Sequence, residues 1–569
     1  MNATEHKQKY KPFSGVSLPD REWPNRRITK APRWLSTDLR DGNQAIYNPM
    51  DIATKLEFFR MLTKIGFKEI EVGFPSASQI EFDFVRELIE GGHIPSGVTV
   101  QVLTQARPEL IDRTMESLAG VKQAIVHVYT ATSPTFREVV FGMSKEEVMD
   151  MTVAGITQIQ ELAAMQPKTK FSLEYSPETF SQTEMPYVRD VCNAAIETWT
   201  PKKGSELILN LPATVEACMP NQYADMIEWT KRNLITRDNV SISLHTHNDR
   251  GTAVAAVEMG LLAGANRVEG CLFGNGERTG NADIVTLALN LYTQGLLPGL
   301  DFSNIDEIVE TVERCTGIPV HPRHPYAGKL VQTAFSGGHQ DAINKGFKKR
   351  DPASFWNVPY LSIDPQDIGR KYESLIRINS QSGKGGIAHV LESAKGFSMP
   401  RNLQIEFSGV VQKRAEEKGT VVSSKEIWTL FKEEYTETRE PLQFIGQTLF
   451  AAEDNKSQGI QLDFLAYGRQ LTVRGMGNGP IDAAVKALDL HVDVQSYEEQ
   501  SLCKGSDAKA IAFLEMTVNG DPEVFFGVGI DANTVTASIR AVFSGINRAS
   551  CQGKLKVPSD YGAARLKIA

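Results

Sequence analysis

The sequence is poor in cysteine and lacks both long apolar runs and blocks of positive charge. Its six cysteines lie far apart, without a Cys-x-x-Cys pair, which argues against a disulfide framework and against a structural zinc knuckle. No apolar run is long enough to span a bilayer, and the N-terminus lacks the apolar core of a secretory signal. We therefore expect a cytoplasmic protein with reduced thiols and no membrane partner.

The formal net charge is −8, and no Lys/Arg-rich block is long enough to follow the phosphates of a duplex. Nucleic acid is therefore not expected as a partner, and the ligands should be small molecules. Charged residues make up 23% of the chain and hydrophobic residues 41%, as in soluble globular proteins. Because 569 residues exceed what one hydrophobic core usually serves, we expect two or more domains.

From residue 33 to about residue 292, short β-branched apolar runs alternate with longer amphipathic segments. This alternation is typical of repeated βα units, and eight such units in about 260 residues match a closed (β/α)8 TIM barrel. An open doubly wound sheet is the alternative, which the even count and the missing dinucleotide fingerprint disfavour. The predicted strands are Trp34–Asp38, Glu69–Gly73, Thr99–Leu103, Gln123–Tyr129, Lys170–Tyr175, Leu207–Leu211, Ser241–His245 and Arg267–Leu272.

The remainder of the chain divides by composition. Residues 1–32 are rich in Pro and basic groups and predict an extended arm before the barrel at 33–328. Residues 329–440 lose the βα alternation and predict small helical subdomains with a hinge at Ser380–Gly386. The Gly-Lys-Gly-Gly sequence in this hinge is interpreted either as a contact for a CoA diphosphate or, as we favour, as a flexible linker.

Residues 441–569 contain an internal repeat in which a strand pair ends in Gly-x-Gly and then enters a helix. Gly475 and Gly477 end the first copy, and Gly527 and Gly529 end the second. Two copies predict an α+β domain with a duplicated ββα unit. Bare glycine backbone beside a helix N-terminus favours a carboxylate ligand, although tight turns between strand and helix would also explain the pattern.

The first predicted barrel strand runs into a charged motif that contains Arg40 and Asp41. Functional groups in parallel barrels lie at the C-terminal ends of strands, so this motif is a candidate part of a site. A salt-bridged loop is the alternative interpretation.

The seventh predicted strand ends in His245-Thr246-His247. Residues i and i+2 of a strand point to the same side, so both imidazoles can bind one divalent cation. Asn281, in the glycine-rich loop after the eighth strand, offers a neutral oxygen. With Asp41, these residues form a mixed oxygen and nitrogen ligand set that suits Mg²⁺, Mn²⁺ or Zn²⁺.

These motifs resemble those of the barrel metallolyase superfamily, which includes the isopropylmalate, homocitrate and citramalate synthases. The resemblance covers nearly the whole chain and is strongest to the long-form 2-isopropylmalate synthase family. Asn43 stands where many relatives carry Glu, although the long forms often have Asn at this position. The motifs are Leu39–Gln44, His245–Asp249, Gly276–Asn281, Phe335–Asp341, Val358–Tyr360 and the C-terminal repeat.

The resemblance implies a metal-dependent acyltransferase that condenses acetyl-CoA with 2-oxoisovalerate in the first committed step of leucine biosynthesis. Asp41, His245 and His247 would bind the metal, with Asn281 as a fourth or nearby ligand. The 2-oxo acid would chelate the ion, which makes its ketone carbon electrophilic, and Arg40 would stabilise the developing alkoxide. The resemblance implies that Thr214 binds the substrate carboxylate. Helix capping is the alternative role for this residue.

Other roles also come from the resemblance. His339 and Tyr360, from the helical subdomain, would remove the acetyl proton, while Glu178 and His127 would complete the polar pocket. Leucine would act as feedback inhibitor, and the arm and the multi-part tail suggest a homodimer. The leucine-binding loop is expected at Gly527, Gly529 and Ala532.

Three alternatives stay open from the sequence. Homocitrate or citramalate synthesis would use the same chemistry with a different 2-oxo acid. A lyase on the same barrel would use a cysteine near the eighth strand, where Cys271 is the nearest candidate. A barrel without activity that merely carries an amino-acid sensor is disfavoured, because every expected metal and base position is filled.

Overall fold

The structure is a computed structural model of the chain. It describes all residues except 1–8, 11, 201–204, 335, 371–383, 419–421, 452–456, 503–507 and 559–569. The contacts divide the chain into a barrel unit, Met1–Val331 with Ile363–Arg370, and a C-terminal unit, Gln332–Ser362 with Lys371–Ala569. No helix among the described residues is both long and apolar enough to cross a membrane.

The barrel unit contains eight parallel strands that close in sequence order, so the predicted TIM barrel is confirmed. The first strand is shorter than predicted, because the backbone leaves the extended region at Thr37 (φ −104°, ψ 12°). The strands are β1 Arg33–Ser36, β2 Glu69–Gly73, β3 Thr99–Gln105, β4 Gln123–Ala131, β5 Lys170–Glu178, β6 Leu207–Ala213, β7 Val240–Thr246 and β8 Arg267–Gly270.

One helix follows each strand and packs its apolar face on the barrel. Local signals fix the ends: the Asp51 side chain accepts a hydrogen bond from the Thr54 N–H, and Ser144 forms a capping box with Glu147. The helices are Ile52–Ile65, Gln79–Glu90, Pro108–Ser117, Lys145–Ala164, Met185–Thr198, Pro220–Asn233, Ala253–Leu262 and Ile284–Thr293, with Ile305–Thr316 following.

The interior of the barrel is polar at its centre. Arg267 is fully buried, and its guanidinium donates to Glu69 of β2 at 2.6 Å, to Glu174 of β5 at 2.8 Å and to Glu269 of β8 at 2.5 Å. The same guanidinium donates to the amide oxygen of Gln101 in β3 at 2.8 Å. One cation therefore ties four strands together, as a buried charge requires.

The predicted N-terminal arm packs on the barrel where it is described. Trp23 is buried, its indole N–H donates to Asp225 at 2.7 Å, and its backbone N–H donates to Glu228 at 3.0 Å. Both carboxylates belong to the helix Pro220–Asn233 of the same chain. The predicted boundaries after residues 32, 328 and 440 stay predictions.

The C-terminal unit begins with helices, as predicted. The Gly-Lys-Gly-Gly segment is only partly described: Ser380–Gly383 lie outside the described residues, and the next helix begins at Lys384, so Lys384–Gly386 form its first turn. The hinge predicted at Ser380–Gly386 stays a prediction. The helices are Gly337–Lys349, Lys384–Lys395, Arg401–Lys418 and Ser424–Phe431.

The rest of this unit is a structural repeat of two three-stranded antiparallel sheets, each followed by a helix. The predicted duplication is present, and each copy has one strand more than the sequence predicted. The first copy is β9 Leu442–Ala451, β10 Gln458–Ala466 and β11 Arg469–Gly477 with the helix Pro480–Leu488; the second is β12 Val492–Ser501, β13 Ala510–Val518 and β14 Phe525–Asp531 with the helix Thr534–Cys551.

The two Gly-x-Gly sequences lie inside β11 and β14, where the following helix packs directly on the strand. A Cβ on Gly529 would lie 2.0 Å from the Ala537 carbonyl oxygen, and one on Gly527 would lie 2.1 Å from that of Ala541. Gly475 and Gly477 face the helix backbone in the same way. Glycine is therefore required for close packing of strand and helix, which the sequence interpretation had not included.

We expect Gly529→Ala to lower the free energy of unfolding of this unit by about 1–3 kcal/mol, because the added methyl must push the helix from the sheet. Gly446→Ala in β9 is the matched control, since a Cβ there meets no atom within 4 Å. Calorimetric melting of both variants tests this. Equal melting temperatures for Gly529→Ala and the wild type would contradict it.

Candidate metal centre

The turn after β1 carries Arg40 and Asp41 into the mouth of the barrel. Residues Asp38–Gly42 form a π-helical turn, in which the backbone N–H groups of Arg40 and Gly42 both donate to the Thr37 carbonyl at 3.1 Å. The tight turn holds the two side chains over the strand ends. Both are largely buried.

Asp41, His245 and His247 come together as predicted. Their ligand atoms lie within 4.8 Å of one another, and all three residues are buried. The Asp41 Oδ2 lies 3.3 Å from His245 Nε2 and 3.5 Å from His247 Nε2. The i and i+2 positions of the histidines bring both rings to one carboxylate, so the three groups can hold a metal ion.

The electrostatics of the three groups are strongly perturbed. Burial disfavours the charged form of Asp41, but Arg40 and the two imidazoles outweigh it and hold its pKa well below the usual range. Burial also lowers the pKa of His245, yet its hydrogen bonds with Asp41 and Glu269 raise it to about 9. Burial and the neighbouring His245 lower the pKa of His247 to about 4. A cation bound here would displace the His245 proton, because a ligating imidazole must be neutral.

Asn281 lies beside this group. Its backbone forms a β-bridge with His247, and its side-chain amide donates to the Asn275 carbonyl at 3.0 Å. The Asn281 Oδ1 is buried and has no hydrogen-bond partner among the residues that the structure describes. A buried acceptor without a donor is costly, which agrees with a role as an oxygen ligand.

A cavity of about 360 Å³ opens beside the three groups. Four of the other residues predicted for the site line it: Arg40, His127, Glu178 and Thr214. Residues for which the sequence predicted no individual role also line it: Gln44, Phe74, Leu103, Tyr129, Ser176, Asn210, Pro212, Glu277 and Arg278.

Glu71 of β2 connects two of the predicted residues and was missed. It is fully buried, accepts from Arg40 Nε at 2.5 Å and contacts His127 Nδ1 at 2.8 Å. These partners hold its pKa at about 2 against the effect of burial. The sequence signal for Glu71 was the pair of acidic residues Glu69 and Glu71, because alternate residues of a strand share one face.

Glu178 and Thr214 lie at the ends of β5 and β6. Burial raises the pKa of Glu178 and Arg40 opposes the rise. The Thr214 hydroxyl accepts a hydrogen bond from the Thr179 N–H at 2.9 Å and so joins two loops. It does not cap a helix, which was the alternative role.

The other predicted residues lie in the C-terminal unit. The His339 and Tyr360 rings stack with their centroids 4.0 Å apart, and both side chains are exposed. Gly527 and Gly529 lie within β14 and Ala532 is exposed in the turn that follows.

Cys271, the cysteine that a lyase reaction would require, is buried. Burial raises its pKa well above the usual value, and its sulfur lies 3.2 Å from the Thr37 hydroxyl. A buried thiol with a raised pKa is a poor acid or nucleophile near neutral pH, so the geometry disfavours the lyase alternative.

Three family models match the chain. Residues 31–312 match the HMGL-like family, residues 329–392 match "alpha-isopropylmalate synthase, post-catalytic domain-like", and residues 421–550 match the "LeuA allosteric (dimerisation) domain". Among solved structures, hydroxymethylglutaryl-CoA lyase from Pseudomonas aeruginosa is similar over 51% of this chain and 95% of its own, with 21% identity and a TM-score of 0.42. That likeness is too distant to bear on activity.

Curated relatives are similar over almost the full length. The chain is 55% identical to the 2-isopropylmalate synthase of Paraburkholderia phytofirmans, over 99% of this chain and 98% of the relative. It is 57% identical to the 2-isopropylmalate synthase of Azotobacter vinelandii, over 95% and 97%. With the barrel, the three-residue centre at its mouth and the three matching family models, this similarity means that the chain belongs to the 2-isopropylmalate synthase family.

Proposed function

We propose that this chain condenses acetyl-CoA with 3-methyl-2-oxobutanoate (2-oxoisovalerate) and releases 2-isopropylmalate and CoA, a committing step of leucine biosynthesis. The observation that carries the proposal is the 55% identity to a 2-isopropylmalate synthase over 99% of the chain. In this reaction the acetyl methyl loses a proton and attacks the ketone carbon. The ketone oxygen gains a proton, and water then cleaves the thioester to a carboxylate and a thiol.

The donors at the barrel mouth fit a divalent cation. One carboxylate, two imidazoles and the unpartnered Asn281 Oδ1 make a mixed oxygen and nitrogen set, which suits Mg²⁺, Mn²⁺ or Zn²⁺. We assign Asp41, His245 and His247 as ligands and Asn281 as a further or neighbouring one. When bound, such an ion supplies Lewis acidity to the ketone of the 2-oxo acid.

Arg40 is the residue that we assign to the developing negative charge on the ketone oxygen. It lines the cavity and its side chain is 12% exposed, while Glu71 fixes its Nε. A preorganised guanidinium in a buried site stabilises such charge without reorganisation. His127 and Thr214 line the same cavity, and we assign them to substrate binding.

Proton transfer is assigned to three residues. Glu178 lines the cavity, and burial raises its pKa toward the range where a carboxyl exchanges protons near neutral pH. His339 and Tyr360 are proposed to take part in removing the acetyl proton. Their stacked rings are exposed to solvent, so neither side chain is part of a hydrophobic core.

The cavity walls favour a branched apolar side chain over a second carboxylate. Phe74, Leu103 and Pro212 contribute apolar surface. Both arginines that line the cavity are already paired, Arg40 with Glu71 and Arg278 with Asp249. A 2-oxoglutarate substrate would leave its distal carboxylate without a dedicated cation, which disfavours the homocitrate alternative.

Leucine is the proposed feedback inhibitor and a homodimer the proposed assembly. The match of residues 421–550 to an allosteric and dimerisation domain supports both. We keep Gly527, Gly529 and Ala532 as the proposed leucine loop, with Ala532 exposed one residue before the helix cap Asn533. Free N–H groups at a helix start favour an amino-acid carboxylate.

Release of free thiol from acetyl-CoA tests the proposal. We expect the rate of thiol release with 3-methyl-2-oxobutanoate to exceed the rates with pyruvate and 2-oxoglutarate by about 10-fold or more. Pyruvate lacks methyl groups, each worth about 10–200-fold, and 2-oxoglutarate would bury a carboxylate without a partner. A chelator should abolish release and Mn²⁺ should restore it, and leucine should lower the rate of the intact chain. Faster release with another 2-oxo acid, or activity unaffected by the chelator, would contradict the proposal.

A further inference from the structure

A carboxylate in β8 stands directly behind the metal centre. Glu269 is buried, and its Oε2 lies 3.1 Å from His245 Nδ1. The same oxygen accepts from Asn210 Nδ2 at 3.2 Å. Its other oxygen, Oε1, accepts from Arg267 at 2.5 Å and from the Ser243 hydroxyl at 2.7 Å. Two partners therefore face each carboxylate oxygen.

This contact fixes the orientation of the His245 ring. Its Nδ1 is held against the Glu269 carboxylate at 3.1 Å, so Nε2, on the opposite side of the imidazole, faces Asp41 at 3.3 Å. That is the side on which Asp41 and His247 would share a cation with His245. A carboxylate on the second nitrogen commonly orients a metal-ligating histidine.

The same carboxylate fixes the amide of Asn210. Because Nδ2 donates to Glu269, Oδ1 must point the other way. Asn210 is 2% exposed and lines the cavity, and its Oδ1 has no hydrogen-bond partner in the described part of the chain. Glu269 thus sets the direction of one metal-facing nitrogen and one cavity-facing oxygen.

We propose that Glu269 is a positioning residue of the metal centre, holding the His245 ring with Nε2 toward the cation site and the Asn210 amide with its oxygen toward the substrate. The proposal rests on the assigned metal site. Partners of a ligating histidine fix its ring and raise its basicity, and their loss typically costs about 10–100-fold in metal affinity. Arg267 and Ser243 hold the other carboxylate oxygen of Glu269 in place.

Glu269→Gln is the decisive variant. Whichever way the new amide is turned, its NH2 faces two donors, so either His245 with Asn210 or Arg267 with Ser243 loses its acceptor. We expect calorimetric titration with Mn²⁺ alone to give about 10–100-fold weaker binding than wild type. The KM for acetyl-CoA should stay near wild type, and saturating Mn²⁺ should recover most of kcat.

Ser243→Ala is the matched control, since it removes a donor to the other oxygen and leaves the histidine bond. It should bind Mn²⁺ within about threefold of wild type. If Glu269→Gln fails to fold in calorimetric melting, Glu269→Asp decides, because it keeps the charge but withdraws the acceptor by one methylene. Wild-type Mn²⁺ affinity in a folded Glu269→Gln or Glu269→Asp variant would overturn the proposal. Absence of Mn²⁺ binding by the wild type would instead remove the metal site itself.

Discussion

Asp41→Asn is expected to lower kcat/KM on the order of 10³-fold. Asp41 is the only carboxylate of the three-residue centre, and its pKa is held far below the usual range by Arg40 and the two imidazoles. A neutral amide would leave Arg40 without one counter-charge and weaken cation binding. Loss of Lewis acidity costs several kcal/mol of transition-state stabilisation, and each 1.4 kcal/mol is about tenfold in rate.

The matched control is Asp238→Asn, an exposed acid in the loop before β7, which should retain wild-type activity. Steady-state kinetics at increasing Mn²⁺ would separate weak binding from lost chemistry. If the kcat/KM of Asp41→Asn lay within tenfold of wild type at limiting Mn²⁺, Asp41 would not be a ligand.

Arg40→Gln is expected to lower kcat by about 10²–10³-fold, the usual cost of removing one preorganised donor to a developing oxyanion. The KM for acetyl-CoA should change little, because the contact strengthens only as charge develops. Arg40 also separates Glu71 from Asp41: its guanidinium lies 2.5 Å from the first carboxylate and 3.6 Å from the second. Its removal leaves two buried acids without their shared cation.

Arg40→Lys should recover only part of the loss, because a lysine carries the charge without the planar fork that serves two carboxylates. Arg314→Gln is the control, since Arg314 is an exposed arginine that pairs with Glu57. Single-turnover measurement of the condensation step provides the readout. A larger effect on the KM for acetyl-CoA than on kcat would assign Arg40 to binding and not to the transition state.

The barrel and the pairing of His245 with His247 could be predicted from the sequence because both depend on short-range periodicity. Asp41 could be added because the C-terminal ends of barrel strands meet at one mouth. Strand and helix periods gave eight βα units, and the i, i+2 spacing of His245 and His247 brings both rings to one side. Glu71 and Glu269 were missed because their partners come from distant strands: Arg40 and His127 for the first, Arg267 and His245 for the second. A buried carboxylate on a strand cannot be told from a solvent-facing one without those partners.

The C-terminal repeat was predicted with one strand too few in each copy. β12 reads Val-Asp-Val-Gln-Ser-Tyr-Glu-Glu-Gln-Ser, and it lacks sustained apolar alternation because most of its side chains are exposed. Gly527 and Gly529, which stay part of the proposed leucine loop, also have a helix backbone packed against them. The sequence indicates bare backbone at these glycines, but only tertiary packing shows which helix lies against it.

The polar centre of the barrel also limits how the substrate range can be altered. Arg267 joins β2, β3, β5 and β8, and a buried ion network loses more when one member is removed than when all are replaced together. Laboratory evolution toward other 2-oxo acids should therefore accumulate substitutions in the apolar walls of the cavity, such as Phe74 and Leu103. The buried ion network around Arg267 should stay unchanged. A different polar centre would require simultaneous substitution of buried charged residues on several strands.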